Sequence, residues 1–185
     1  MSEDFPGILA RADKVCDEAA VSAALDRMAG EIRRDLSGRD PLVLVVMIGG
    51  MVPAVWLLER LRFPHQVDYV HATRYRGATR GGASLKWRAR PPEAVAGRHV
   101  LVIDDILDEG YTLAAILEAC RAAGAASVRS AVLVRKTHDR CVPGLAPDYT
   151  GVEVEDRYVF GCGMDYHERY RQLPAVYALA AEDAS

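Results

Sequence analysis

The chain is predicted to be an α/β protein, a mainly parallel twisted sheet flanked by helices. Three observations predict this. Short apolar runs rich in Val, Leu and Ile recur at residues 42–47, 100–103 and 127–134, and residues 67–72 read as a further strand. Glycine or aspartate punctuates several of them, and stretches with helical spacing lie between. The length of 185 residues suits one domain with a real core, so residues 1–185 are expected to form a single unit.

The elements follow in order. Residues 21–36 place Ala24, Leu25, Met28, Ile32 and Leu36 on one face and Glu31, Arg33 and Arg34 elsewhere, an amphipathic helix ending before Pro41. Residues 42–47 read as a strand broken by Gly49 and Gly50. Residues 53–61 read as a helix with Pro53 in its first turn. Residues 67–72 are a third strand. Residues 74–90 are basic, carry glycines and lack an apolar period, so they are expected to form a long loop of the functional kind. Residues 100–103 have the β-branched pattern of a strand buried on both faces, ending at Asp104 and Asp105. Thr112 opens an amphipathic stretch over 113–123, and 127–134 is another strand. A turn-rich link at 143–147, short β-like pieces at 151–154 and 157–160, and a terminal helix over 173–181 complete the reading. Strands alternating with helices imply the parallel sheet. No repeat, low-complexity segment or domain linker is visible.

Composition narrows the function classes. Half of the residues are hydrophobic and the net charge is -3, which argues against a protein built for non-specific nucleic-acid binding. Cys16, Cys120, Cys141 and Cys162 are widely spaced and form no C-x-x-C, which argues against zinc and dithiol redox chemistry and suits a reducing, cytoplasmic setting. No stretch approaches a membrane span, and the N-terminus lacks the pattern of a signal peptide.

The most informative run is residues 100–112, V-L-V-I-D-D-I-L-D-E-G-Y-T. It reads as strand, acidic turn, helix start. A helix N-terminus offers unpaired N–H groups and the positive end of a dipole, so it holds phosphate well. Gly110 permits close backbone approach, and the Thr112 hydroxyl adds a donor. Paired carboxylates at a strand's C-terminal edge suit sugar hydroxyls or the water shell of Mg²⁺, and ligands of open α/β sheets bind at that edge. The run lacks the G-x-x-x-x-G-K-[ST] of a Walker loop.

This run resembles the 5-phosphoribosyl-1-pyrophosphate (PRPP) signature of type I phosphoribosyltransferases. The resemblance implies that Asp104 and Asp105 face the ribose hydroxyls and that Asp108, Glu109, Gly110, Tyr111 and Thr112 wrap the 5-phosphate. It also implies the fold of that family, with a small hood formed by terminal segments. Downstream, Lys136 follows an apolar strand, and D-R-Y-V-F-G-C-G-M-D-Y spans residues 156–166. Here the likeness sharpens to the hypoxanthine-guanine phosphoribosyltransferases. They carry a lysine after this strand, an aromatic-Val-x-G-x-x-x-D-Y segment, and an arginine six residues beyond the aspartate. The likeness covers most of residues 42–173.

The roles so implied are chemically coherent. Lys136 has three donors and no acceptor, so it suits O6 of a 6-oxopurine better than the amino group of adenine. Tyr158 can stack on the base beside Val159. Asp165 is implied near the purine edge or a metal-bound water, and Arg171 at the pyrophosphate, a task for a fork of donors. If the register slips by one, Arg135 takes the place of Lys136. Asp104, Asp105 and Asp165 are the implied Mg²⁺ contacts. Asp108 is the candidate general base for the N7 proton.

Two loops flank this constellation. Gly49 and Gly50 lie where the family binds pyrophosphate, and often has a non-proline cis peptide; Ile48 stands where many members have Lys or Arg. Backbone N–H groups at the glycines could form an anion nest. Residues 74–90 correspond to the family's closing loop, with Tyr75 at its stem. Such a lid excludes water from an oxocarbenium-like transition state. The resemblance implies a Mg²⁺-dependent enzyme of purine salvage, a homodimer or homotetramer, with PRPP and hypoxanthine or guanine as substrates. Xanthine or another base, such as a pyrimidine, as acceptor, or a non-catalytic regulator of the same fold that senses PRPP or nucleotides, are the alternatives.

Overall fold

The computed structural model describes residues 5–74 and 85–183. A six-stranded sheet forms its centre. The strands are β2 (Leu42–Val46), β3 (Gln66–Arg74), β4 (Leu85–Ala89), β5 (His99–Leu107), β6 (Ser127–Thr137) and β7 (Tyr149–Glu155), in the order β4-β3-β2-β5-β6-β7. All neighbours are parallel except β4, which runs antiparallel to β3. Helix α2 (Glu18–Leu36) leads into β2, and helices α3 (Met51–Leu58) and α4 (Tyr111–Ala122) supply the crossovers from β2 to β3 and from β5 to β6.

Alternation along the strands builds two cores. Val43, Val45, Leu101, Ile103 and Leu133 pack with α2 and α3, burying Leu25, Met28, Ile32 and Leu57. Leu42, Leu44, Val46, Val100, Val102 and Val132 face the other way, against Leu113, Ile116, Leu117 and Cys120 of α4. Side chains of period two from one sheet therefore feed both layers. The amphipathic stripe of α2 is where its spacing predicts it, and Asp17 caps the helix by accepting from the Ala20 N–H at 2.8 Å.

The hood is a second, three-stranded sheet. Strand β1 (Asp13–Cys16), following the short helix α1 (Phe5–Arg11), pairs with β9 (Val176–Ala178), which pairs with β8 (Val159–Phe160). Phe160, Ile8 and Leu179 are its buried core, and Phe160 stacks on Tyr177. Terminal segments thus do form the hood.

Four expectations need correction. Residues 173–181 are not a helix: Pro174 stands near the start, and the apolar run from Ala175 to Leu179 is consumed by strand β9 and its flanks. Residues 74–90 are not wholly a loop, because Leu85–Ala89 forms β4 and closes a hairpin with β3. Strand β5 does not stop at Asp104. Its ladder to β6 continues to Leu107, whereas its ladder to β2 ends at Ile103. The sheet therefore steps, and the two aspartates stand where β5 outruns β2. Finally, β6 continues past Val134 to Thr137, so Lys136 lies within the strand. Tyr75 falls outside the described residues. No described helix is long and apolar enough to cross a membrane.

Candidate active site

Two adjoining clefts open at the C-terminal edge of the sheet. The first, about 260 Å³, is lined by Val46, Met47 and Gly49 from the end of β2, by Asp104 and Asp105, and by Asp108 to Leu113. All five residues of the expected phosphate loop are on its wall. Gly110 is the N-cap of α4 with φ 85°, a left-handed conformation that favours glycine. A Cβ there would overlap Leu145 and press on Leu107. Glycine is thus required by packing behind the loop as well as by its turn.

The acidic pair is buried. The Asp105 N–H donates to Asp104 Oδ1 at 2.9 Å, and the Ile106 N–H donates to Asp105 Oδ1 at 2.8 Å. Burial, and then the charge of Asp105, hold the Asp104 carboxyl well above the ordinary carboxylate range. Burial also raises Asp105, against hydrogen bonds from its surroundings and the pull of Arg171. Two crowded oxygen-donor carboxylates in a desolvated cleft fit a hard divalent cation, which would relieve both burial and repulsion.

The loop after β2 packs tightly on this pair. The Met47–Ile48 peptide is cis. A Cβ at Gly49 would overlap the Asp105 carboxylate. Gly50 begins α3, its N–H is given to the Val46 carbonyl at 2.9 Å, and it is not on the wall of either cleft. Of the two glycines expected in the anion nest, Gly49 alone meets the cleft.

The second cleft, about 320 Å³, is lined by Asp105, Ile106, Asp108, Lys136, Tyr158, Val159, Met164 and Asp165. It shares Asp105, Ile106 and Asp108 with the first. Of the two candidates, Lys136 faces this cleft. Arg135 is exposed and pairs with Glu153, whereas the Lys136 side chain is 12 % exposed and turns to the cleft. Lys136 Nζ donates to Asp108 Oδ2 at 2.8 Å. Tyr158 is half-exposed at the wall, its hydroxyl donating to the Asp165 carbonyl at 3.1 Å.

The loop after β8 carries Arg171, which is on the wall of neither cleft. Gly163 packs directly on the Gly49 carbonyl, and its N–H donates to the Arg171 carbonyl at 2.8 Å. Arg171 Nη1 donates to the Gly163 carbonyl at 2.6 Å, and Nη2 pairs with Asp165 Oδ1 at 2.6 Å. Asp165 Oδ2 accepts from the Glu168 N–H at 2.8 Å. Both Asp165 oxygens are therefore engaged, and Asp165 does not join Asp104 and Asp105 in a three-ligand cluster among the described residues.

Three residues of this region were not expected. His138 Nε2 meets Asp108 Oδ1 at 2.8 Å. Asp156 lies 3.9 Å from Lys136 Nζ and accepts two hydrogen bonds from Arg140 at 2.7 and 2.9 Å. Asp108, His138 and Asp156 come within 4.8 Å of one another, but Lys136 and Arg140 already neutralise the carboxylates, so the group is an ion-pair network. The signal for His138 was its position two residues after Lys136, which on a strand means the same face. Burial raises the Asp108 carboxyl, but hydrogen bonds from Lys136 and His138 prevail and hold it below the ordinary range. An anionic, oriented carboxylate beside a cationic donor can accept a proton at the mouth of this cleft.

A helix N-terminus shaped for phosphate, set beside buried acids suited to hydroxyls, is what an enzyme that handles a phosphorylated sugar requires. The chain belongs to the phosphoribosyl transferase domain family, whose model matches residues 12–169. Among its relatives, the hypoxanthine-guanine phosphoribosyltransferase of Lactococcus lactis is 33% identical over 154 residues, covering 83% of each chain. That of Streptococcus pneumoniae is 28% identical over 162 residues, covering 88% of this chain and 89% of the relative. The crystal structure of a hypoxanthine phosphoribosyltransferase from Staphylococcus aureus superposes with a TM-score of 0.88 at 25% identity, over 99% of this chain and 100% of that one.

Proposed function

We propose that the chain acts in purine salvage, transferring the 5-phosphoribosyl group of PRPP to N9 of hypoxanthine or guanine to give IMP or GMP and pyrophosphate. One observation carries this reading: Lys136 and Asp108 stand together at the junction of the two clefts. The base would lie against Tyr158 and Val159 with O6 at Lys136. The 5-phosphate would take the N-terminus of α4, from Asp108 to Thr112. Asp104 and Asp105 would meet the ribose hydroxyls, and Gly49 and Arg171 the pyrophosphate. Asp104 and Asp105 would also hold Mg²⁺, which when bound would supply neutralisation of leaving-group charge. Asp108 takes the N7 proton as N9 bonds to the sugar. The test is incubation with PRPP, Mg²⁺ and a panel of hypoxanthine, guanine, xanthine, adenine and uracil, with pyrophosphate release as readout. Release with hypoxanthine or guanine is expected. Release with uracil alone, or with no base, would overturn the assignment.

The acidic pair gives a two-sided prediction. Asp104→Asn with Asp105→Asn should weaken Mg·PRPP binding by at least tenfold, about 1.4 kcal/mol. Without divalent cations the same change should raise stability at neutral pH. The sign follows from the raised carboxyls. A folded state that binds protons more tightly than the unfolded chain gains stability below the unfolded value, and loses it as pH rises through the folded one. Melting temperatures at pH 7.5 and pH 4 check this: the variant's advantage should be present at the first and shrink at the second. Wild-type PRPP affinity in the variant would remove these residues from the sugar site.

A homo-oligomer, dimer or tetramer, completes the proposal. Val67 and Tyr69 pair in register with Val43 and Val45, so they lie on the α3 side of the sheet, where Met51 and Val55 are also exposed. An apolar surface of this kind suits a second copy. Val55→Glu with Tyr69→Glu should shift sedimentation to a smaller species; an unchanged profile would move the interface elsewhere. The four free thiols suit a reducing cytoplasm.

A further inference from the structure

We propose that His138 is a positioning residue for Asp108: it holds Oδ1, so that Oδ2 alone is presented to the purine when Lys136 moves from Asp108 to the base. The inference rests on the second cleft being the purine pocket.

Residue 138 stands just past the end of β6, two positions from Lys136, and its side chain is 4 % exposed. Both ring nitrogens are used. Nδ1 lies 3.1 Å from the backbone nitrogen of Arg140, and Nε2 lies 2.8 Å from Asp108 Oδ1. A backbone N–H can only donate, so Nδ1 is the unprotonated nitrogen and Nε2 carries the hydrogen. The imidazole is thus a donor of fixed direction, aimed at one oxygen of one carboxylate.

The other carboxylate oxygen is held differently. Lys136 takes Oδ2 at 2.8 Å from the end of a flexible stem. When its ammonium turns to a purine O6, Oδ2 loses that donor. A carboxylate held by lysine alone would then be free to rotate. With His138 on Oδ1 its plane stays fixed, and the lone pairs of Oδ2 face the base. The N7–H bond breaks, the Oδ2–H bond forms, and the electron pair remains on the purine. The imidazole gives up no proton. Among the described residues, the charged and titratable groups around Asp108 are Lys136 and His138 on one side, Arg140 and Asp156 beyond them, Glu109 and Tyr111 just after it in the chain, Asp104 and Asp105 in β5, and Tyr158 and Asp165 across the second cleft.

The test compares His138→Leu with His138→Gln. Leucine removes the donor and fills the volume; glutamine keeps an N–H near the place of Nε2. In single-turnover assays with PRPP, Mg²⁺ and hypoxanthine, His138→Leu should slow the chemical step about tenfold, a part of the ~10²–10⁴ a positioned base supplies. The PRPP KM should stay within about twofold. The acidic limb of kcat/KM should move to higher pH, because the carboxylate has lost a donor that favours its anion. His138→Gln should restore both rate and limb. Nitrogen-15 NMR of histidine-labelled protein should show the Nε2-protonated tautomer for His138, whether or not the leucine variant folds. A leucine variant with wild-type rate and an unmoved limb would overturn the proposal, as would a proton on Nδ1. Failure of the unaltered protein to release pyrophosphate with any purine would instead count against the purine pocket, and the NMR tautomer would still decide the contact to Asp108.

Discussion

Asp108→Asn is expected to lower the single-turnover rate by about 10²–10⁴, the range a positioned general base supplies. The substitution keeps shape and removes basicity. An amide cannot take the N7 proton, and its nitrogen would face the donor of either Lys136 or His138, which now meet the two carboxylate oxygens at 2.8 Å each. PRPP affinity should change little, because the phosphate loop acts through its backbone and the start of α4. The wild-type kcat/KM should fall on the acid side as Asp108 protonates, at a pH below the ordinary carboxylate range, because its two donors outweigh the effect of burial. The variant should lack this limb. Stability has the same sign. A depressed carboxyl stabilises the fold above the unfolded value, and the contribution disappears as pH falls through the folded one. At 42 % side-chain exposure that contribution is small. The decisive measurement is the single-turnover rate, since product release can mask chemistry in steady state. A variant as fast as the wild type would remove Asp108 from the proton transfer.

The sheet and most of its site were legible because they depend on local pattern. The apolar runs of β2, β5 and β6 announce strands buried on both faces, and D-D-I-L-D-E-G-Y-T announces a phosphate loop. What was not legible depends on pairing across the chain. Strand β9 has three residues and β1 has four, too few to show a period; each exists because the other lies beside it. Asp104 and Asp105 looked like a strand terminus because charged residues seldom sit inside a sheet. They are tolerated in β5 because β2 has already ended beside them, while β6 carries the ladder onward. Arg171 and Asp165 were expected at the site, but their ion pair follows from a loop whose Cys162, His167, Glu168 and Tyr170 all have positive φ without being glycine. Of these residue types histidine alone is enriched in that conformation, and no local rule assigns it to cysteine, glutamate and tyrosine. His138 lay within reach of a period-two argument had the strand been extended to Thr137 and its alternation carried one residue further.

Lys136→Met should abolish the preference for 6-oxopurines, reducing kcat/KM for hypoxanthine by about 10²–10⁴ while leaving that for adenine low. The large figure has a physical source. The Lys136 side chain is 12 % exposed, so O6 in that pocket would be desolvated on binding and needs a replacement donor. Methionine matches the stem and offers none. The loss has a second component. Without the ammonium, Asp108 keeps His138 as its donor, and its carboxyl should rise, moving the acid limb of the profile to higher pH. The control is Arg135→Met. Arg135 points out of the cleft to Glu153, an exposed pair of the kind that contributes about 0–1 kcal/mol, so its loss should leave base choice untouched. Measuring hypoxanthine, guanine and adenine with both variants separates the outcomes. If Arg135→Met damages selection and Lys136→Met does not, the base is read from the opposite face of β6. If neither does, selection lies with the wall made by Tyr158, Val159 and Met164, and shape rather than hydrogen bonding chooses the acceptor.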